Sequence, residues 1–227
     1  MDFPTQRLNE IIKANEGLIS ICGDFGVGKT TFVLQTAINS AKLGNKVLYF
    51  YSKPNFPSQR IGNILKDNSM KVLDNLTFTK IIGFNELISA ILNLEFFILE
   101  NLKESGKKLS LLVIDSLTEL YRLELNKEKK EKNTNLNYQL NQILGTLTYI
   151  LETYGIEILI VNELSRKRKD DEVFEVQGGG KIMDFWMCDT VKLMRTEVLS
   201  ERNLIVRKVR ENKIFEVKAK LTKYGFD

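Results

Sequence analysis

Gly23-Asp24-Phe25-Gly26-Val27-Gly28-Lys29-Thr30-Thr31 is the stretch whose reading decides the fold. It spells G-x-x-x-x-G-K-T, the phosphate-binding P-loop. Leu18 to Cys22 before it is a short apolar run with the length of a buried strand. After it, Phe32, Val33, Ala37, Ile38 and Ala41 recur at helical spacing up to Leu43. Strand, glycine loop and helix form the context that turns the pattern into a nucleotide site. Glycines let the backbone adopt conformations closed to side chains, so that successive amides point at an anion. The positive end of the following helix adds to that field. Lys29 would reach the β- and γ-phosphates of a nucleotide, and the Thr30 hydroxyl would sit on Mg²⁺.

A chain of 227 residues with 43% apolar content suits one α/β domain over residues 1–227. Met1 to Pro4 has neither a basic nor an apolar signal region, and no apolar run reaches membrane-span length, so a cytoplasmic protein without a membrane partner is expected. Cys22 and Cys188 sit in apolar surroundings and read as buried free thiols. The chain has no histidine, which removes His-based acid–base catalysis and most zinc sites. Net charge is +4, with ten Lys or Arg against five Asp or Glu over residues 192–227. A basic C-terminal part on a near-neutral body fits either a polyanionic partner or a solvated β-face.

The remaining pattern alternates strands and helices. A short helix is expected over 5–17, then strands at Lys46–Tyr51 and Leu76–Ile82 with a helix from Ser58 to Asp67, N-capped by Ser58, between them. One long helix is expected over Asn85–Leu102. Leu109 to Asp115 is an apolar strand closing on an acid, which fits a central strand of a parallel sheet. Asp115, at the carboxyl edge opposite Thr30, is the second expected Mg²⁺ residue. A helix is expected from Asn135 to Tyr154 and a buried strand at Glu157–Asn162. Arg166 to Glu172 reads as a charged loop and Gln177 to Lys181 as a flexible glycine run. Three antiparallel strands close the chain.

The order of these motifs resembles the RecA-type recombinase core, in particular the archaeal RadA and RadB group. The matching features are the P-loop at 23–31, Leu112-Val113-Ile114-Asp115-Ser116-Leu117-Thr118, the strand ending Asn162-Glu163, and Gly178-Gly179-Gly180 followed by β-segments. Together they span residues 5–225. The N-terminal DNA-binding domain of RadA has no counterpart, as in RadB. The resemblance implies a RecA-type P-loop fold with a mostly parallel central sheet, helices on its faces, and antiparallel C-terminal strands. It also implies ATP with Mg²⁺, and Arg60 packing against adenine.

Two positions depart from the family pattern. Lys53 occupies the place of the family's catalytic glutamate, and an ammonium carries donors only, so it cannot activate water as a base. Loss of a general base costs ~10²–10⁴-fold in rate. Glu163 stands where the family has the glutamine that links the γ-phosphate to the DNA loop. Lys53 and Glu163 are expected to compensate each other as a pair; the alternative is that Glu163 has taken over water activation. DNA contacts, if present, are expected from Arg166, Lys167, Arg168, Lys169 and Lys181, although neighbouring acids nearly cancel the charge of that loop. The resemblance thus implies a RadA-like paralogue that binds single-stranded DNA and modulates recombination and repair, with weak or no hydrolysis. The RadA recombinase is a partner it implies, and a homo-oligomer is open. An active DNA-dependent ATPase recombinase, or a KaiC-like signalling protein acting on protein partners, are the alternatives.

Overall fold

The computed structural model describes residues 1–66, 70–105, 108–125, 130–169 and 172–227. It opens with α1 (Gln6–Ile11) and a single 3-10 turn (Ala14–Glu16) rather than one helix over 5–17. Ile12 turns extended at the end of α1 and is buried, so the chain gives up a helical turn to place an apolar side chain in the core. Next come β1 (Leu18–Gly23), α2 (Lys29–Lys42), β2 (Lys46–Tyr51), α3 (Ser58–Leu65) and α4 (Met70–Leu73). The expected Ser58 cap is absent: Pro57 is the capping position of α3, and no side chain caps it.

Beyond them lie β3 (Leu76–Lys80), α5 (Phe84–Leu92), α6 (Leu94–Ser105), β4 (Leu109–Asp115), α7 (Leu117–Glu124) and α8 (Lys130–Tyr154). The single helix expected over 85–102 is therefore two. The break is at Asn93, which closes α5 with φ −94° and ψ 3°; its backbone and side-chain amides both donate to the Ser89 carbonyl, at 3.1 and 2.8 Å. The last part holds β5 (Glu157–Lys169), β6 (Glu172–Gln177), α9 (Lys181–Trp186), β7 (Met187–Arg195), β8 (Glu201–Lys208), β9 (Lys213–Thr222) and β10 (Gly225–Phe226).

The sheet order is β10-β9-β8-β7-β1-β5-β4-β2-β3, with β6 paired to β5. From β7 to β3 neighbouring strands run parallel; β8, β9 and β10 continue antiparallel. This is the expected α/β architecture, with β7 joining the parallel side through β1 as well as starting the antiparallel one. Alternation explains the continuous apolar runs. Leu111 and Val113 of β4 face a core with α2, while Leu112 and Ile114 face a second core with α5, α7 and α8. In α8, Leu136, Leu140, Ile143, Leu147 and Ile150 are all buried at three- and four-residue steps. Cys22 and Cys188 are free and buried, as expected, and burial pushes the Cys22 thiol up to about 12. Among the described residues, no helix is long and apolar enough to cross a membrane.

Of the charged loop expected over 166–172, residues 166–169 and 172 are instead paired strand, and 170 and 171 lie outside the described residues. Leu164 to Lys169 pair antiparallel with Glu172 to Gln177, and Val173, Phe174 and Val176 supply the strand-forming residues. The glycine run is a turn that leads directly into α9.

Candidate functional site

Parallel strands bring their carboxyl ends to one edge, and there β1, β2, β4 and β5 open onto a cleft of about 710 Å³. Phe25, Gly26, Gly28, Lys29, Thr30 and Thr31 line one side, residues 53–60 another, and Tyr49, Tyr51, Asp115, Glu163 and Leu221 complete it. Arg60, in the first turn of α3, is exposed and lines this cleft. Val27 turns inward and is fully buried, whereas Phe25 projects outward.

The loop is held open from behind. Gly28 has φ +114°, and a Cβ there would stand 3.1 Å from both Leu221 and Phe226. Arg202 Nε donates to the Val27 carbonyl at 2.9 Å, and Arg195 Nη2 to that of Phe25 at 2.7 Å. Gln35 of α2 clasps Phe226, donating to its carbonyl at 2.8 Å and accepting from its amide at 2.6 Å. The Phe25 and Val27 carbonyls are thus held back by β7 and β8. The Val27 amide donates to the Asp24 carbonyl at 3.3 Å, and the N-terminus of α2 faces the cleft as an anion site.

Lys29 is 7% exposed, and its Nζ donates to the Gly23 carbonyl at 2.8 Å, the Asp24 carbonyl at 3.0 Å and Glu163 Oε2 at 3.1 Å. Asp115 is 1% exposed; its Oδ2 accepts from the Tyr49 hydroxyl at 2.9 Å, and its Oδ1 has no hydrogen-bond partner. Burial pushes this carboxyl's pKa up, against the Thr30 hydroxyl, the Tyr49 hydroxyl and the Lys53 charge, which favour the anion. A buried carboxylate oxygen left unpaired near a threonine hydroxyl fits a hard, oxygen-seeking cation such as Mg²⁺, which keeps its waters. Thr30 and Asp115 are the residues that would hold it.

Lys53 does not pair with Glu163. Its Nζ donates to Glu119 Oε2 at 3.2 Å, and the same oxygen accepts from Ser116 Oγ at 3.1 Å. The correction has a physical origin in α7, which brings a second carboxylate to the mouth of the cleft, while Glu163 is taken by Lys29. Burial draws the Lys53 pKa down, but Asp115, Glu119 and Glu163 outweigh it, and the ammonium is held above the usual lysine range.

Glu163 is also the residue at which β5 leaves the main sheet for the hairpin. Its amide donates to Thr118 Oγ1 at 2.9 Å, and its carbonyl accepts from the Gly178 amide at 2.8 Å. Below it, Asn162 Nδ2 donates to Ser20 Oγ and Gln177 Oε1, and Gln177 Nε2 donates to Thr190 Oγ1. The hairpin base is therefore bonded to the strands that carry the loop. Arg166, Lys167, Arg168 and Lys169 lie on β5 opposite Glu175, Phe174, Val173 and Glu172, and their side chains fall outside those described. Lys181 is exposed at the start of α9.

Glu119, Tyr49, Leu221, Arg195 and Arg202 were not expected from the sequence. Ser116-x-x-Glu119 carries the spacing of a helix-start box, a signal that could have revealed α7 and its acid. The others reach the site through long-range pairing and leave no local trace.

A family model described as Rad51 matches residues 8–211. A "DNA repair and recombination protein RadB" of Methanocaldococcus jannaschii is 32% identical over 82% of this chain and 83% of its own length. One of the same description from Methanococcus maripaludis is 29% identical over 91% and 90%. The "DNA repair protein RAD57" of Saccharomyces cerevisiae is 27% identical over 66% of this chain and 35% of its own length.

Proposed function

The chain belongs to the Rad51 family, as a RadA/RadB-like recombinase core, and on that premise we propose that it holds ATP with Mg²⁺ and turns it over little. In this reading residues 1–227 act as one ATP-binding core. Residues 23–31 cradle the phosphates, Arg60 lies against the base, and Thr30 with Asp115 takes the metal. The observation that carries the reading is Lys53. Its ammonium is fixed by Glu119, and in this reading it takes the place of the family's water-activating glutamate. It adds positive charge toward bound phosphates and removes the base, a combination that favours retention over hydrolysis. The Glu163 carboxylate accepts from Lys29 and leaves Lys53 to Glu119.

The same protein binds single-stranded DNA and modulates recombination and repair in the cytoplasm, alongside a RadA-type recombinase or in copies of itself. The hairpin carrying Arg166 to Lys169, with Lys181 beyond the glycine turn, is the DNA surface in this reading. Its bonded base, through Gln177 and Gly178, ties that surface to the nucleotide edge. Titration of a labelled single-stranded oligonucleotide with rising salt tests it. The expected result is binding at low salt that weakens steeply as counterions compete for phosphate contacts. No binding at low salt would leave the KaiC-like alternative, an ATP-binding protein that acts on other proteins.

A further inference from the structure

We infer that Glu163 is a built-in competitor for Lys29 and that it lowers the affinity of the site for a nucleoside triphosphate more than for a diphosphate. This deepens the nucleotide reading above and rests on it.

A lysine ammonium has three N–H donors. Those of Lys29 are taken by the Gly23 carbonyl, the Asp24 carbonyl and Glu163 Oε2. An incoming phosphate oxygen must therefore displace one of the three. The Gly23 carbonyl belongs to the end of β1 and that of Asp24 to the loop anchored behind by Arg195 and Arg202, so neither is free to withdraw. The Glu163 side chain is the movable partner. Its backbone is fixed at both ends by Thr118 and Gly178, so displacement occurs by side-chain rotation and leaves the strand in place.

Lys29 and Glu163 are 7% and 18% exposed in their side chains, so water screens their attraction weakly. Once displaced, the carboxylate remains beside the phosphates. A triphosphate brings an additional negative group to the Lys29 end of the cleft, and so meets more repulsion than a diphosphate does. The neutral isostere Glu163→Gln keeps the shape and removes both the competing charge and the repulsion.

The test measures dissociation constants of a fluorescent diphosphate and a fluorescent non-hydrolysable triphosphate, with Mg²⁺, for the wild type, Glu163→Gln and Glu163→Ala. The triphosphate is expected to bind Glu163→Gln about tenfold more tightly, the scale of one lost charge-assisted bond, with a smaller gain for the diphosphate. Glu163→Ala should show the same order of preference, which separates the charge from any new contact by the amide. Equal gains for both nucleotides, or no gain, overturn the inference while leaving the site a nucleotide site. No binding by any of the three proteins overturns the nucleotide reading and this inference with it.

Discussion

The Lys53 ammonium lies 3.2 Å from the Glu119 carboxylate, so the cation at the mouth of the cleft is held by the first turn of α7. The pair is about a third exposed on each side, 32% and 38%. Such pairs contribute ~0–1 kcal/mol, so its role is placement of charge. Glu119→Gln is expected to change stability by less than about 1 kcal/mol in urea unfolding. The pKa of Lys53 is raised, so its ammonium persists at higher pH and whatever stability it contributes is lost only above the usual lysine range. Raising pH from about 7 to about 9, below the usual lysine pKa, should therefore leave ATP hydrolysis at its neutral-pH level. A hydrolysis rate that climbs through this window, and is abolished by Lys53→Met, would assign Lys53 as a base.

Asp115 carries the unpaired buried oxygen expected to face the metal. Chelation of Mg²⁺ should weaken nucleotide binding by the wild type in calorimetric titration. In Asp115→Asn that dependence on Mg²⁺ should largely vanish, because the amide keeps the Tyr49 contact and loses the charge that attracts the cation.

Asp189 lies on β7 with both carboxylate oxygens buried and unpartnered, and burial pushes its pKa up to about 6. Lys208 opposes this by favouring the anion, while Glu16 and Glu211 add to it. A folded-state pKa above the unfolded one means that the native state binds the proton more tightly. The contribution is therefore full below about pH 4 and is lost as pH rises through about 6. At about 1.4 kcal/mol per pKa unit this amounts to at most roughly 3 kcal/mol. Asp189→Asn should be more stable than the wild type at pH 8 by urea unfolding, and the two should converge near pH 4.

Gly28 has a left-handed φ, and a Cβ there would press on Leu221 and Phe226 at 3.1 Å. Gly28→Ala should cost about 2–4 kcal/mol, from backbone strain and from pressure on Leu221 and Phe226. Hydrogen exchange should quicken at β9 and β10, since Phe226 is clasped to α2 by Gln35.

The sequence showed most of the scaffold because its elements are local. Buried parallel strands such as Leu109–Asp115 are continuous apolar runs, and the P-loop has a fixed spacing. Helix breaks and strand pairings were harder. Asn93 splits a pattern that remains periodic across it, and the Arg166–Lys169 run looks like a loop by charge although its backbone is paired across a hairpin. In the site, Phe25, Gly26, Gly28, Lys29, Thr30, Thr31, Lys53, Arg60, Asp115 and Glu163 line one cleft. Which lysine meets which carboxylate was not legible, because it depends on where a two-turn helix puts Glu119. The clasp of Arg195, Arg202 and Leu221 comes from residues more than 160 positions away from the loop that they support.

If Lys53 stands where a base is needed, the site keeps its nucleotide without turning it over. Radiolabelled ATP with Mg²⁺, incubated with excess protein and single-stranded DNA, tests it most directly in the wild type and in Lys53→Glu. The wild type is expected to bind ATP and release it intact, and Lys53→Glu to raise hydrolysis by ~10²-fold or more. Rapid conversion to ADP by the wild type, or a Lys53→Glu rate no higher than the wild type's, would contradict it.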